Sequence, residues 1–120
     1  MFKFPDEFDG SFLLGKTLEM VCFNTSQVYL HFDERVRIMI ESAFSYHRRE
    51  NSDETEIINK VPVKKSNLMQ LLGQKVSGVQ TDNDATMTLK FENGDIVKCY
   101  ATFPNYECYH IWNGTTEVII

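Results

Sequence analysis

The sequence predicts a mainly β protein with one or two short helical turns: two tandem antiparallel β-meander repeats, packed as one domain with pseudo-two-fold symmetry. Three observations carry this expectation. Apolar and polar residues alternate in short runs such as Met87-Thr-Leu-Lys-Phe91, the period of a strand with one buried face. Nine Phe, five Tyr and one Trp supply the large side chains that sheets favour. Blocks of the first half also recur, in order, in the second.

Leu13-Leu14-Gly15-Lys16 is matched by Leu71-Leu72-Gly73-Gln74, and Leu18-Glu-Met-Val21 by Val76-Ser-Gly-Val79. Val28-Tyr-Leu-His-Phe32 is matched by Met87-Thr-Leu-Lys-Phe91. Ile38, Ile40, Ser42 and Phe44 then align with Val97, Cys99, Ala101 and Phe103. Tyr46-His47 aligns with Tyr109-His110 after a short insertion in Pro104–Cys108, and Thr55-Glu56-Ile57-Ile58 with Thr116-Glu117-Val118-Ile119. Alternation alone does not generate Leu-Leu-Gly and Thr-Glu-(Ile/Val)-Ile in the same order. The repeats are expected at about 11–59 and 66–120, joined by a connector at about 60–65 that contains Pro62, all within a single domain spanning 1–120.

Each unit opens with a short helical turn, seen in Ser66–Leu72 and closed by Gly73; Gly15 and Gly73 suit the left-handed position after such a turn. A first strand follows at about 17–23 or 75–81, then a hairpin at about 27–46 or 85–103, then a final strand pair. Taken alone, DERVRIMIESAF could be a helix capped by Asp33. Its counterpart ENGDIVKCYATF contains Asn93-Gly94 between alternating runs, a two-residue hairpin signal that needs positive φ at both positions. Carried to the first copy, this predicts a strand over 35–46 with Ile38, Ile40 and Phe44 facing inward. A sandwich, two half-barrels or one curved sheet would each satisfy the pattern.

A chain of 120 residues is long enough to bury about two-thirds of its extended surface in one core. The net charge of −5 argues against nucleic acid, which calls for a clustered basic face; Arg48-Arg49 and Lys64-Lys65 are the only basic doublets. The same balance disfavours acidic partners and permits a basic protein, steered electrostatically. Three unpaired-looking cysteines, an N-terminus MFKFPDEFDG without an apolar stretch, and no long apolar run predict a cytoplasmic protein with reduced thiols and no membrane segment.

No catalytic constellation stands out, and the chain is expected to be non-enzymatic and free of cofactors. Tyr46-His47 and Tyr109-His110 could set imidazoles around the pseudo-axis, but no Ser or Asp stands at a triad spacing. Cys108-x-His110 offers two ligands on one strand face, short of the four that a structural zinc site takes, so no metal is expected. Asp82-Asn83-Asp84 begins like a calcium loop but lacks the later Gly and Glu and reads as a polar turn. The acidic stretch with Glu50, Asp53, Glu54 and Glu56 is a candidate docking surface for a basic partner, with Tyr109, Trp112 and Tyr106 as aromatic anchors. A second reading is a small-molecule or enzymatic pocket between the repeats lined by Tyr46, Tyr109 and His110. A third is a structural homodimer paired through edge strands.

Leu71-x-Gly73-x-x-Val76-x-x-Val79, Leu89-x-Phe91 with Asn93-Gly94, and Tyr106-Glu107-x-Tyr109-x-Ile111 together resemble a class of small bacterial β-rich domains. Some of these are immunity proteins of polymorphic and contact-dependent toxin systems. The likeness rests on turn, core and aromatic positions; the first half departs from it, with Glu34-Arg35 where Asn93-Gly94 stands. The resemblance implies a small, acidic, cytoplasmic, non-catalytic protein that blocks a toxin domain by covering its active site or a neighbouring surface.

Overall fold

The computed structural model describes residues 8–48, 55–58, 63, 65–101 and 108–120. The chain is mainly β, with two 3-10 turns, at Gly10–Leu13 and Leu68–Leu71, as the helical segments among the described residues. Among the described residues ten strands run in order: β1 (Leu18–Phe23), β2 (Val28–Phe32), β3 (Val36–Ile40), β4 (Phe44–His47), β5 (Thr55–Ile58), β6 (Val76–Thr81), β7 (Met87–Phe91), β8 (Ile96–Cys99), β9 (Tyr109–Asn113) and β10 (Thr116–Ile119). They form two antiparallel five-stranded sheets, ordered β1-β2-β3-β9-β10 and β5-β4-β8-β7-β6.

Each sheet therefore takes three strands from one half of the chain and two from the other. The expected continuous strand over 35–46 is corrected: it is broken at Glu41–Ala43, so that β3 and β4 lie in different sheets. Backbone bonds fix the crossing, with Glu41 N–H donating to Cys108 O (2.9 Å) and Tyr100 N–H to Ala43 O (3.1 Å). Leu30, Ile38, Ile40, Tyr109 and Ile111 of the first sheet and Phe44, Tyr46, Leu89, Phe91 and Val97 of the second belong to one buried cluster.

The sheets also meet along the start of β1 and β6. Gly15 N–H donates to Val76 O and Gly73 N–H to Leu18 O, both at 2.8 Å; Leu18 N–H donates to Gln74 O and Val76 N–H to Lys16 O, both at 2.9 Å. Both glycines have the expected positive φ, +79° and +86°, which turns the chain out of each 3-10 segment toward the opposite strand. In each Leu-Leu-Gly the first leucine is fully buried and the second exposed (Leu13 and Leu14, Leu71 and Leu72).

Aligned by the sequence repeat, β1–β3 and β6–β8 are each an antiparallel meander, with a register break between Leu18 and Met20 in one and between Val76 and Gly78 in the other. The last two strands depart from it. Beside Ile38 of β3 stands Ile111, whereas beside Val97 of β8 stands Tyr46. Tyr46 thus corresponds in the sheet to Ile111, and His47 to Trp112, so the two Tyr-His dipeptides are not equivalent. Thr55 pairs with His47, while Glu117 pairs with Trp112, which shifts the two Thr-Glu motifs by one residue and reverses their faces.

The turns follow local chemistry. Asn24 accepts from the N–H groups of Ser26 (2.8 Å) and Gln27 (2.6 Å) to close β1–β2. Asn93-Gly94 differs from the expectation. Only Gly94 has positive φ (+93°), and Phe91 N–H donates to Asp95 O, giving a three-residue loop. The two-residue turn with both positions left-handed is instead Glu34-Arg35 (φ +55° and +62°), and Asp33 accepts from Thr17 N–H (3.1 Å) rather than capping a helix. Asp82 does close a polar turn, accepting from Asp84 and Thr86 N–H.

Two phenols tie the core to these loops. Tyr46 OH donates to Asp95 Oδ2 and Tyr109 OH to Ala85 O, each at 2.6 Å. Burial drives both pKa values above the usual tyrosine range, with the Asp95 hydrogen bond adding to the rise at Tyr46. Removing the Tyr109 hydroxyl strands the buried Ala85 carbonyl, so Tyr109→Phe should lose about 1–3 kcal/mol. A urea titration should show this as a lower midpoint with unchanged slope.

Candidate functional site

Alternation along each strand divides the side chains between the shared core and two outer faces. The outer face of the first sheet carries, from edge to edge, Met20, His31, Arg37, Trp112 and Glu117 in one cross-strand row. Cys22, Tyr29, Met39, His110 and Ile119 form the neighbouring row. The corresponding rows of the second sheet are Gly78, Lys90, Ile96, His47 and Thr55, and Gln80, Thr88, Lys98, Ser45 and Ile57. Two faces of one architecture therefore differ in chemistry: the second carries Lys90, Lys98, Thr55, Thr88 and Gln80 beside His47, Ile57 and Ile96, whereas the first is aromatic and sulfur-bearing.

On the first face the rings are organised. Tyr29 and His31 stack at 5.5 Å and 12°, and His110 and Trp112 at 5.6 Å and 22°. The Arg37 guanidinium lies 4.2 Å from the Trp112 ring centroid, a cation–π contact. His110 is buried between two acids, with Nδ1 3.0 Å from Glu117 Oε2 and Nε2 3.3 Å from Glu41 Oε1. Met20 and Ile119, at opposite edges, are each 48% exposed.

The sequence-derived candidates separate on this framework. Tyr46 and Tyr109 are fully buried core residues, while His110 points from β9 to the other side of its sheet. These three residues do not converge on a cavity between the repeats. Tyr109 is likewise inaccessible as an interface anchor; Trp112 is half-buried on the outer face. Glu56 is a structural tie, accepting from Asn67 N–H (3.0 Å), Asn67 Nδ2 (2.7 Å) and Ser66 Oγ (3.1 Å) ahead of the second 3-10 turn. It sits on β5 at the edge of the second sheet, away from the row that holds Trp112. Glu50, Asp53, Glu54 and Tyr106 lie outside the described residues.

Cys99 and Cys108 are buried and Cys22 is partly exposed. Burial pushes the Cys99 thiol up to about 12. Among the described residues no group of three or more His, Cys, Asp or Glu is arranged to hold a metal ion. No described helix is long and apolar enough to cross a membrane. Sequence reading missed His31, Arg37, Tyr29 and Met39, which join the face only through cross-strand register. Compared with protein-family models, curated proteins and solved structures, the chain has no significant match.

Two measurements probe this arrangement. Alkylation of the native protein should modify Cys22 and spare Cys99 and Cys108, with all three reacting after denaturation; mass spectrometry reads the difference. The His31 pKa is held below its ordinary value of 6.5, first by desolvation and then by the Arg37 charge. A protonated His31 is therefore worse tolerated folded than unfolded. Relative to a His31→Asn variant, the wild type should lose stability as pH falls through about 6.5 and on below it. Parallel denaturation curves across that range would expose an unchanged difference if the imidazole is indifferent.

Proposed function

We propose that this chain is a non-enzymatic protein-binding module whose recognition surface is the outer face of the first sheet. One observation carries the reading: the two sheets share strand order, core and crossover, yet only the first has an outer face built of Tyr29, Trp112, two methionines and two histidines. The two outer rows of the second sheet hold no tryptophan, tyrosine or methionine, and Gln80, Thr88, Lys90 and Lys98 stand there instead. Tryptophan, tyrosine, methionine and arginine are the residues that protein interfaces concentrate, with apolar anchors inside a polar rim. Met20 and Ile119 supply accessible apolar area, and Arg37, Glu41 and Glu117 the polar groups around it.

The partner chemistry follows from charge. A chain of net −5 attracts a basic surface over distance, and the acidic stretch at Glu50, Asp53 and Glu54 would contribute to that steering. The more specific form of the proposal is an immunity protein that occludes a basic toxin domain. It rests on the acidic balance and on the resemblance of residues 71–111, and the mechanism would be steric cover without chemistry.

The test uses the full-length tagged chain against its native host extract at low and moderate salt. The expected ligand is a basic protein captured by the wild type and lost with Met20→Glu or Ile119→Glu. It should be retained by Ile57→Glu, whose parent side chain is 68% exposed on the opposite sheet. Loss with Ile57→Glu and retention with the other two would overturn the assignment of the face. Replacing Glu50, Asp53 and Glu54 together with alanine should slow association and flatten its salt dependence. Unchanged on-rates would remove the loop from the mechanism while leaving the face standing.

A further inference from the structure

At one end of the first sheet the β2–β3 turn lies against the β9–β10 turn, joined by a bond from Gly114 N–H to Arg35 O (3.1 Å). Between them is a cleft of about 300 Å³ lined by His31, Phe32, Arg35, Val36, Arg37 and Gly114. That is the small end of the range for ligand sites. In a chain of net −5, the residues that line this cleft include two arginines and a histidine. His31 and Arg37 are direct cross-strand partners.

The neighbouring acids are engaged elsewhere. Glu34 Oε2 lies 3.1 Å from Lys16 Nζ, Asp33 accepts from Thr17 N–H, and Glu41 and Glu117 flank His110. Among the described residues neither Arg35 nor Arg37 has a carboxylate within ion-pair distance; Arg37 rests on the Trp112 ring. Desolvation, and after it the Arg37 charge, holds the His31 pKa below its ordinary value.

The backbone adds a second, independent observation. Arg35 occupies a left-handed position (φ +62°), a conformation that a residue with a Cβ rarely adopts and glycine adopts readily. The matching hairpin of the second half has Gly94 at its left-handed position. Glycine is the residue such a position favours, and here it is an arginine that lines the cleft. Opposite it, Gly114 has open space where a side chain would stand.

The geometry points to an oxyanion-binding site, and the ligand class is phosphate, free or as a monoester. Two planar guanidinium forks match a dianion in charge and can each donate a pair of hydrogen bonds to its oxygens. A neutral His31 adds one donor. The site shares His31 and Arg37 with the proposed recognition face, but a small ion tests it with no partner present.

The experiment is an amide NMR titration of the full chain at low ionic strength with inorganic phosphate and, separately, phenyl phosphate, against a chloride control. Saturable shifts confined to 31–37 and 113–115, in the millimolar range, are expected. Phenyl phosphate binding as well as the free ion supports a monoester ligand, and much weaker binding supports free phosphate. Arg35→Gly suits the backbone and should keep or raise the thermal midpoint while weakening affinity about tenfold, the loss of one charge-assisted contact. Arg37→Lys keeps the charge, removes the fork and should also weaken binding. No saturable shift, shifts centred on Lys90 and Lys98, or undiminished binding by Arg35→Gly would each overturn the site.

Discussion

The exchange of strands between the two halves is the constraint on which the rest of the structure depends. Neither half closes a sheet by itself: β3 needs β9 at its flank, and β8 needs β4. The chain must therefore cross twice between layers, and both crossings are held by backbone bonds that run reciprocally between 41–43 and 100–108. A second reciprocal set, between 15–18 and 73–76, fastens the layers where β1 and β6 begin. The core is then common property. Leu30 and Ile38 from one sheet share a cluster with Leu89 and Val97 from the other, so folding of either half carries its reward only when the other is present.

Much of this was legible because strand and turn chemistry are local. The alternation in Val28–Phe32 and Met87–Phe91 reports a buried face directly, and Leu-Leu-Gly reports a turn that needs a left-handed residue. What local pattern cannot report is which sheet a strand joins. Residues 35–46 keep their alternation through the crossing, since Ile38, Ile40 and Phe44 all face the same core although they sit in two sheets. The Tyr-His likeness failed for a related reason. Tyr46 and Tyr109 are both inward and fully buried, so chemical identity survived while position along the neighbouring strand did not. The final Thr-Glu motifs fail more sharply, because a shift of one residue exchanges the faces: Glu56 turns to a loop it must tie down, whereas Glu117 stays outside beside His110.

The candidate surface was less legible than the fold. Trp112 could be named from composition, since a lone tryptophan near a turn is conspicuous. Its companions could not, because Met20, His31, Arg37 and Glu117 are distant in sequence and become one row only through four strand registers. One of those registers is set by Glu34-Arg35, a turn whose residues give no warning of positive φ. Carboxylate-rich composition pointed instead to the β4–β5 loop. Glu56, on β5 beside that loop, serves the fold instead: its carboxylate satisfies backbone and side-chain donors of the same chain.

The two outer faces can differ because the core constrains only alternate residues. Every inward position is shared between layers and must fill space against its opposite number. Outward positions answer instead to solvent, to their cross-strand neighbours and to nearby loop groups such as Glu41 and Tyr100. On the second sheet threonine, lysine and serine meet those demands without anchoring anything. On the first, Trp112 is stacked with His110 and covered by Arg37, and His110 is held in turn by Glu41 and Glu117. That chain of contacts fixes ring orientations before any partner arrives, so side-chain entropy that a flexible face would lose on association is already lost on folding. It also places Arg37 over the Trp112 ring. Recognition would then pass through ring edges, the exposed ends of Met20 and Ile119, and the charges at the rim, a division of labour in which the stacked rings supply rigidity and their neighbours supply contact.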